Sequence, residues 1–140
     1  MKTILHVLNV ASSPEDVFKA ITTANGLSGW WSTKVTAEEN VGGSVAFTFR
    51  GDFNPIMEIT KFNKYSLIVW KCIDGHDPWK NNQFIFELKR HEELVQLKFI
   101  QNYAVELSDE AYGIYNFNWG YYLQSLKEYC ENGIGKPYNP

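Results

Sequence analysis

The side chains able to do covalent or proton chemistry in this 140-residue chain are few and scattered. His6, His76 and His91 share no metal-ligand spacing, and no paired acids stand out as an acid–base couple. No serine or cysteine sits in a nucleophile elbow, and no glycine-rich phosphate loop follows a strand. Cys72 and Cys130 lie far apart with no Cys-x-x-Cys and read as two reduced, packed thiols in a cytoplasmic protein. His6 shares the parity of Ile4, Leu8 and Val10, so it is expected to point inward as a satisfied core histidine rather than a catalytic one. His76 and Asp77 fall in a loop. There a solvated turn is expected ahead of a polar contact at a cavity rim. Nothing in this set identifies an enzyme, a metal site or a cofactor. What the chain does hold in quantity is aromatic side chains, 16% of all residues. Their chemistry is that of binding: flat apolar contact area, with a hydroxyl or indole N–H as a polar handle.

Composition narrows the classes further. A hydrophobic content of 44% with 21% charged residues is ordinary for a globular protein, and the length suits one domain over residues 1–140. The net charge of −3 argues against an electrostatic footprint for nucleic acid, and no basic run offers a site for acidic lipid. Lys2 followed by an apolar run superficially suggests a secretion signal, but the run is short and interrupted by His6 and Asn9. No segment approaches the roughly 20 apolar residues that span a bilayer, so no membrane partner is expected.

The elements that must position the aromatics follow from periodicity. Tyr115, Trp119, Tyr122, Leu126 and Tyr129 recur at steps of four and three, which places them on one face of a helix from about Ser108 to Asn132. Ser108 can cap it, Asp109 and Glu110 complement its dipole, and Gly133, Gly135 and Pro137 end it. The tail beyond Gly133 is expected to be ordered only in part. Thr3 to Val10 reads as a strand. Ser13, Pro14, Glu15 and Asp16 open a first helix that buries Val17, Phe18, Ile21 and Ala24 and ends at Asn25-Gly26. A short turn or helix then carries Trp30 and Trp31. From Val35 to Tyr103 the pattern is one of alternating strands separated by turns: Ser44–Arg50, Ile56–Phe62, Tyr65–Ile73, Gln83–Arg90 and Leu94–Tyr103. Consecutive strands with short turns make an antiparallel meander, and the last helix is the one element long and apolar enough to cover it. Excluding the faces that carry Arg50, Glu58, Lys71, Glu87 and Lys98 leaves an inward set. Phe47, Phe49, Met57, Ile59, Ile68, Trp70, Phe84, Phe86, Val95, Leu97 and Phe99 then face Tyr115, Trp119 and Tyr122. Gly113 and Gly120, a heptad apart, either permit close approach of helix and sheet or are tolerated flaws; their shared face favours close approach.

Three stretches together carry a family likeness. They are Ser13-Pro14-Glu15-Asp16-Val17-Phe18-Lys19-Ala20-Ile21-Thr22 with Leu27 and Trp30-Trp31; Gly42-Gly43 leading into a strand; and Trp119-Gly120-Tyr121-Tyr122-Leu123 running into Leu126-Lys127-Glu128-Tyr129, Glu131, Gly133, Gly135 and Pro137. With these the chain resembles the START-like or SRPBCC superfamily, in the branch related to the C-terminal domain of the heat-shock-chaperone ATPase activator. Gly113 within the helix and the aromatic density there depart from many relatives. The resemblance implies an α+β helix-grip fold: a curved antiparallel sheet of six to seven strands around a long C-terminal helix, with two short helices after strand 1. It also implies a cavity between sheet and helix, the alternative being a solid core. The expected ligand-binding residues are Trp30, Trp31, Phe47, Phe49, Met57, Trp70, Phe84, Phe86, Phe99, Tyr115, Trp119 and Tyr122. Of the two indoles, one is expected to face in and the other out, gating the cavity or packing a corner. The leading function is binding of an apolar or aromatic small molecule. A co-chaperone-like, protein-binding regulator with a chaperone or other protein as partner, linked to stress response, is the alternative. A cyclase- or hydrolase-type enzyme using the same cavity comes third.

Overall fold

The computed structural model describes residues 2–140. The element order is β1 (Thr3–Val10), α1 (Pro14–Thr22), α2 (Ala24–Ser28), β2 (Lys34–Ala37), β3 (Ser44–Thr48), β4 (Ile56–Asn63), β5 (Leu67–Asp74), β6 (Gln83–His91), β7 (Leu94–Asn102) and α3 (Asp109–Asn132), with a short 3₁₀ turn at Asp77–Trp79. All seven strands form one antiparallel sheet in the order β1-β7-β6-β5-β4-β3-β2. The meander supplies every neighbour except one: β1 returns to pair with β7, Thr3 opposite Asn102 through Val10 opposite Val95. Two register shifts between β4 and β5 bend the sheet, since an extra residue on one strand kinks the ladder and raises its twist. The result is a curled half-barrel that closes on α3.

The inward set assigned from alternation is buried throughout, from Phe49 at 6% exposed to Trp70, Phe84, Phe86 and Phe99 at 0%. Helix α3 begins at its cap, the Ser108 hydroxyl accepting from the Ala111 amide, and ends at Gly133 with φ 82°. That left-handed angle suits glycine, which lacks the Cβ that makes it costly. Along α3, Trp119, Leu123, Ser125 and Leu126 are buried while Tyr115, Tyr122 and Tyr129 are half-buried. The helix also covers the outer edge of β1. Tyr112 donates to the Thr3 carbonyl at 2.9 Å, Lys127 reaches the Asn9 carbonyl, and the Ala11 amide donates to Glu131 at 2.8 Å. These bonds satisfy edge groups that would otherwise template another strand.

Several local expectations are corrected. The first helix ends at Thr23, not at Asn25-Gly26. The Thr23 hydroxyl accepts from the Gly26 amide and so caps α2, drawing Asn25 and Gly26 into the second helix. Neither indole faces out: Trp30 is 0% and Trp31 2% exposed, because the turn after α2 tucks both beneath the sheet and α3. Gly113 meets open space, and a Cβ on Gly120 would sit 3.6 Å from His6, an ordinary contact. Close helix–sheet approach therefore does not require either glycine. Close approach requires glycine elsewhere, as in the tail at Gly135, where a Cβ would fall 2.5 Å from the Gly29 carbonyl oxygen. The tail beyond Gly133 is pinned. Tyr138 bridges to Ser32, its amide donating to the Trp31 carbonyl at 2.8 Å and its carbonyl accepting from the Thr33 amide at 2.9 Å.

Candidate functional site

A cavity of about 380 Å³ opens beside α3, lined by Trp31, Phe49, Arg50, Phe53, His76, Trp79, Tyr115, Asn118, Trp119, Tyr122 and Tyr138. Five pieces of chain build it, the turn after α2 supplying Trp31. The β3–β4 turn supplies Arg50 and Phe53: the Phe53 amide donates to the Arg50 carbonyl at 3.0 Å, and Gly51 takes φ 58° to close the turn. Asn54 staples that turn, accepting from the Phe49 amide at 2.9 Å and donating to the Gly51 carbonyl at 2.9 Å. The β5–β6 loop supplies His76 and Trp79. It is locked to the first turn at Gly75, where a Cβ would lie 1.8 Å from the Asn54 carbonyl oxygen. Helix α3 supplies Tyr115, Asn118, Trp119 and Tyr122, and the tail supplies Tyr138.

Trp31 is the hub of the cavity floor. Its ring lies 4.9 Å from Trp119, 5.2 Å from Phe49 and 6.3 Å from Trp79, with Phe47 and Trp70 behind it at 4.3 and 6.5 Å. Trp119 is held by packing and by one bond, its indole N–H donating to Gln101 Oε1 at 2.8 Å. Gln101 is fully buried on the inward face of β7, in step with Val95, Leu97 and Phe99. At the rim, His76 Nε2 and the Tyr115 hydroxyl lie 3.0 Å apart. Burial holds the His76 pKa below its ordinary value, opposed by Asp52 and Asp77, and burial raises that of the Tyr115 hydroxyl. The two groups are engaged with each other, and His76 also with the Asp52 backbone.

Of the twelve residues expected to bind ligand, the cavity brings together Trp31, Phe49, Tyr115, Trp119 and Tyr122. Trp30, Phe47, Met57, Trp70, Phe84, Phe86 and Phe99 lie in the filled core instead. Phe86, for example, packs between Trp70 and Phe99 at 5.0 and 5.1 Å. Trp30 is in the packed corner, its indole donating to the Ala20 carbonyl at 2.8 Å. The core is therefore solid under the middle of the sheet and hollow at one end. His76 is not the solvated turn residue expected but a rim group, and His6, half-buried, is satisfied by Asn116 at 3.0 Å. Arg50 is exposed, as its strand face suggested, yet stands at the cavity mouth. Phe53, Trp79, Asn118 and Tyr138 were not singled out from sequence. For Phe53 and Trp79 the available signal was the turns beside them, Gly51-Asp52 with Asn54-Pro55 and Asp74-Gly75; Asn118 and Tyr138 had none. Among the described residues there is no group of three or more metal-ligating side chains. Burial pushes the Cys130 thiol up to about 12 and raises that of Cys72, which disfavours the thiolate form.

The model of the family described as Activator of Hsp90 ATPase homolog 1-like protein matches residues 11–131. The chain belongs to this family. Within the fold shared by the Hsp90 ATPase activator-like proteins, similarity is strong over the whole length. The Aha1 dimer of Colwellia psychrerythraea is 28% identical with a TM-score of 0.87, over 96% of this chain and 100% of that one. A Staphylococcus saprophyticus protein is 18% identical with a TM-score of 0.76, over 99% and 98%. A protein of the dynemicin biosynthetic locus is 17% identical with a TM-score of 0.80, over 96% of this chain and 49% of that one. The last two show the fold alone. No curated protein matches the chain. No helix among the described residues is long and apolar enough to cross a membrane.

Proposed function

We propose that this protein binds an apolar or aromatic small molecule in the cavity beneath the β3–β4 and β5–β6 turns. The observation that carries this reading is the lining itself. Trp31, Phe49, Phe53, Trp79 and Trp119 surround about 380 Å³, a volume in the range of small-molecule sites. The polar groups of Arg50, His76, Tyr115, Asn118, Tyr122 and Tyr138 share the lining, so apolar contact can supply affinity while polar contacts set orientation. A cavity of this kind has lost dispersion contacts that a flat ligand restores. Binding is expected to raise the melting temperature, by an amount growing with the logarithm of free ligand. Flavonoid-like, steroid-like and fatty compounds would be screened by thermal shift, and hits titrated calorimetrically. Phe53→Ala and Tyr122→Ala are expected to weaken binding roughly tenfold or more, as lost ring contact in an apolar pocket does. Lys98→Ala on the outer face of β7 should leave affinity unchanged. Absence of a shift with every compound class would remove this reading.

A second reading, protein binding, is favoured by a separate surface. Ile114, Phe117 and Tyr121 recur at helical spacing on the outer face of α3 and are 61%, 76% and 49% exposed. An uncovered apolar stripe of this kind on a helix is a docking face. Because the 28%-identical C. psychrerythraea relative is a dimer, the occupant we propose is a second copy of this chain. Light scattering across a concentration series is expected to find dimers for the native protein and monomers for Phe117→Ser, with the melting temperature of dilute protein unchanged. Native protein that stays monomeric would rule out self-association and leave the stripe to another partner, such as a chaperone.

A further inference from the structure

Arg50 is the sole cation in the cavity lining, and the lining contains no carboxylate. Its guanidinium lies 5.7 Å from the Tyr138 ring centre and has no carboxylate partner among the ion pairs of the described residues. It is also close enough to Tyr122 for its charge to oppose the upward shift that burial gives that hydroxyl. The nearby acids, Asp52, Asp74 and Asp77, line an adjoining pocket that shares His76, and the charge of Asp52 reaches Tyr115 on the His76 side of the cavity. The protein as a whole carries −3, so it has no general attraction for anions.

We infer that the cavity selects planar aromatic ligands bearing an anionic group such as a carboxylate or sulfonate, with Arg50 as counter-ion. This inference rests on the cavity reading above. The flat part of the ligand lies on Trp31, Trp79 and Trp119, and its charged end turns toward the mouth. There the guanidinium offers a planar fork of donors, joined by the hydroxyl of Tyr122 and the amide of Asn118. Arg50 is suited to this task because it is unpaired. An anion gains a charged partner without first breaking an internal salt bridge, and the half-sheltered mouth screens the pair less than open water does. The structural alternative is that Arg50 serves only to stack on Tyr138 and hold the tail.

Two probes of the same shape separate these roles. Anilinonaphthalene sulfonate carries the charge, and N-phenylnaphthylamine lacks only the sulfonate. Both would be titrated into the native protein, Arg50→Gln, and Phe117→Ser, the last to exclude binding at the outer stripe. The expected result is that the native protein prefers the sulfonate by roughly tenfold or more, as a charge-assisted hydrogen bond provides. That preference should shrink with added salt and vanish in Arg50→Gln while N-phenylnaphthylamine still binds. Phe117→Ser should leave both affinities unchanged. Equal affinity for the two probes, or a preference that survives Arg50→Gln, would overturn the inference and leave the cavity reading intact. Failure of both probes to bind would overturn this inference, whereas the cavity reading falls only if the wider thermal-shift screen is also blank.

Discussion

Truncating Trp119 to alanine is expected to lower the free energy of unfolding by roughly 3–5 kcal/mol, the range for loss of a large buried aromatic. The indole is 2% exposed, with its ring 4.1 Å from Phe99 and 4.9 Å from Trp31. Removing it deletes those contacts and orphans Gln101 Oε1, which accepts the indole N–H at 2.8 Å inside the core. Part of the new void would merge with the existing cavity, so water can enter and solvate Gln101; this holds the cost within the stated range. Trp119→Phe retains most of the packing and loses the N–H, and should cost about 1–3 kcal/mol, the penalty for an unpaired buried acceptor. Against a typical stability of about 5–15 kcal/mol, the alanine variant is badly weakened but measurable by urea unfolding. A change below about 1 kcal/mol would mean that α3 presents a different face to the sheet.

The second large effect is expected at a much smaller side chain. Ser125 is 1% exposed on α3, and its hydroxyl donates to the Trp30 carbonyl at 2.9 Å while accepting from the Lys136 amide at 2.6 Å. One oxygen thereby joins three separate parts of the chain: the long helix, the turn carrying the paired indoles, and the returning tail. Ser125→Ala removes almost no volume but leaves a buried carbonyl and an amide without partners. The expected loss is roughly 2–3 kcal/mol in urea unfolding, near the cost of two unsatisfied backbone groups when one regains water. Amide exchange at Lys136 and Tyr138 should accelerate, since the tail loses one of its ties. Ligand binding should weaken with it, because Tyr138 is a wall of the cavity. Unfolding free energy within about 0.5 kcal/mol of native, with unchanged exchange at Tyr138, would show that the tail docks without this hydroxyl.

These two residues mark the boundary between what was legible in the chain and what was not. Trp119 belongs to a periodic pattern. A helix face repeats every 3.6 residues and a strand face every two, so local alternation alone places Tyr115, Trp119 and Leu126 on one side of α3 and Phe84, Phe86, Val95, Leu97 and Phe99 on one face of the sheet. Caps and turns are equally local: Ser13 and Ser108 each bond an amide three residues on, and the helix stop at Gly133 needs only its own backbone angle. The α+β class, the antiparallel meander and the long covering helix were therefore readable directly, and the family likeness added the helix-grip arrangement.

The site was not readable in the same way. Periodicity tells which side chains face inward but not where facing layers meet and where they part. The aromatic inward set fills the core under the middle strands, while the space opens at the end where the β3–β4 turn, the β5–β6 loop and the tail converge. Arg50, Phe53, Trp79, Asn118 and Tyr138 come from four segments distant in sequence, and none shares a repeat with the others. Their convergence depends on long-range contacts that leave no local trace: Gly75 against Asn54, Tyr138 against Trp31 and Ser32, Ser125 against Trp30 and Lys136. The sequence by itself determined the elements and their apolar faces, because those follow from backbone geometry over a few residues. The tertiary structure decided where a ligand can fit, because an empty volume is a property of how loops close over a curved sheet.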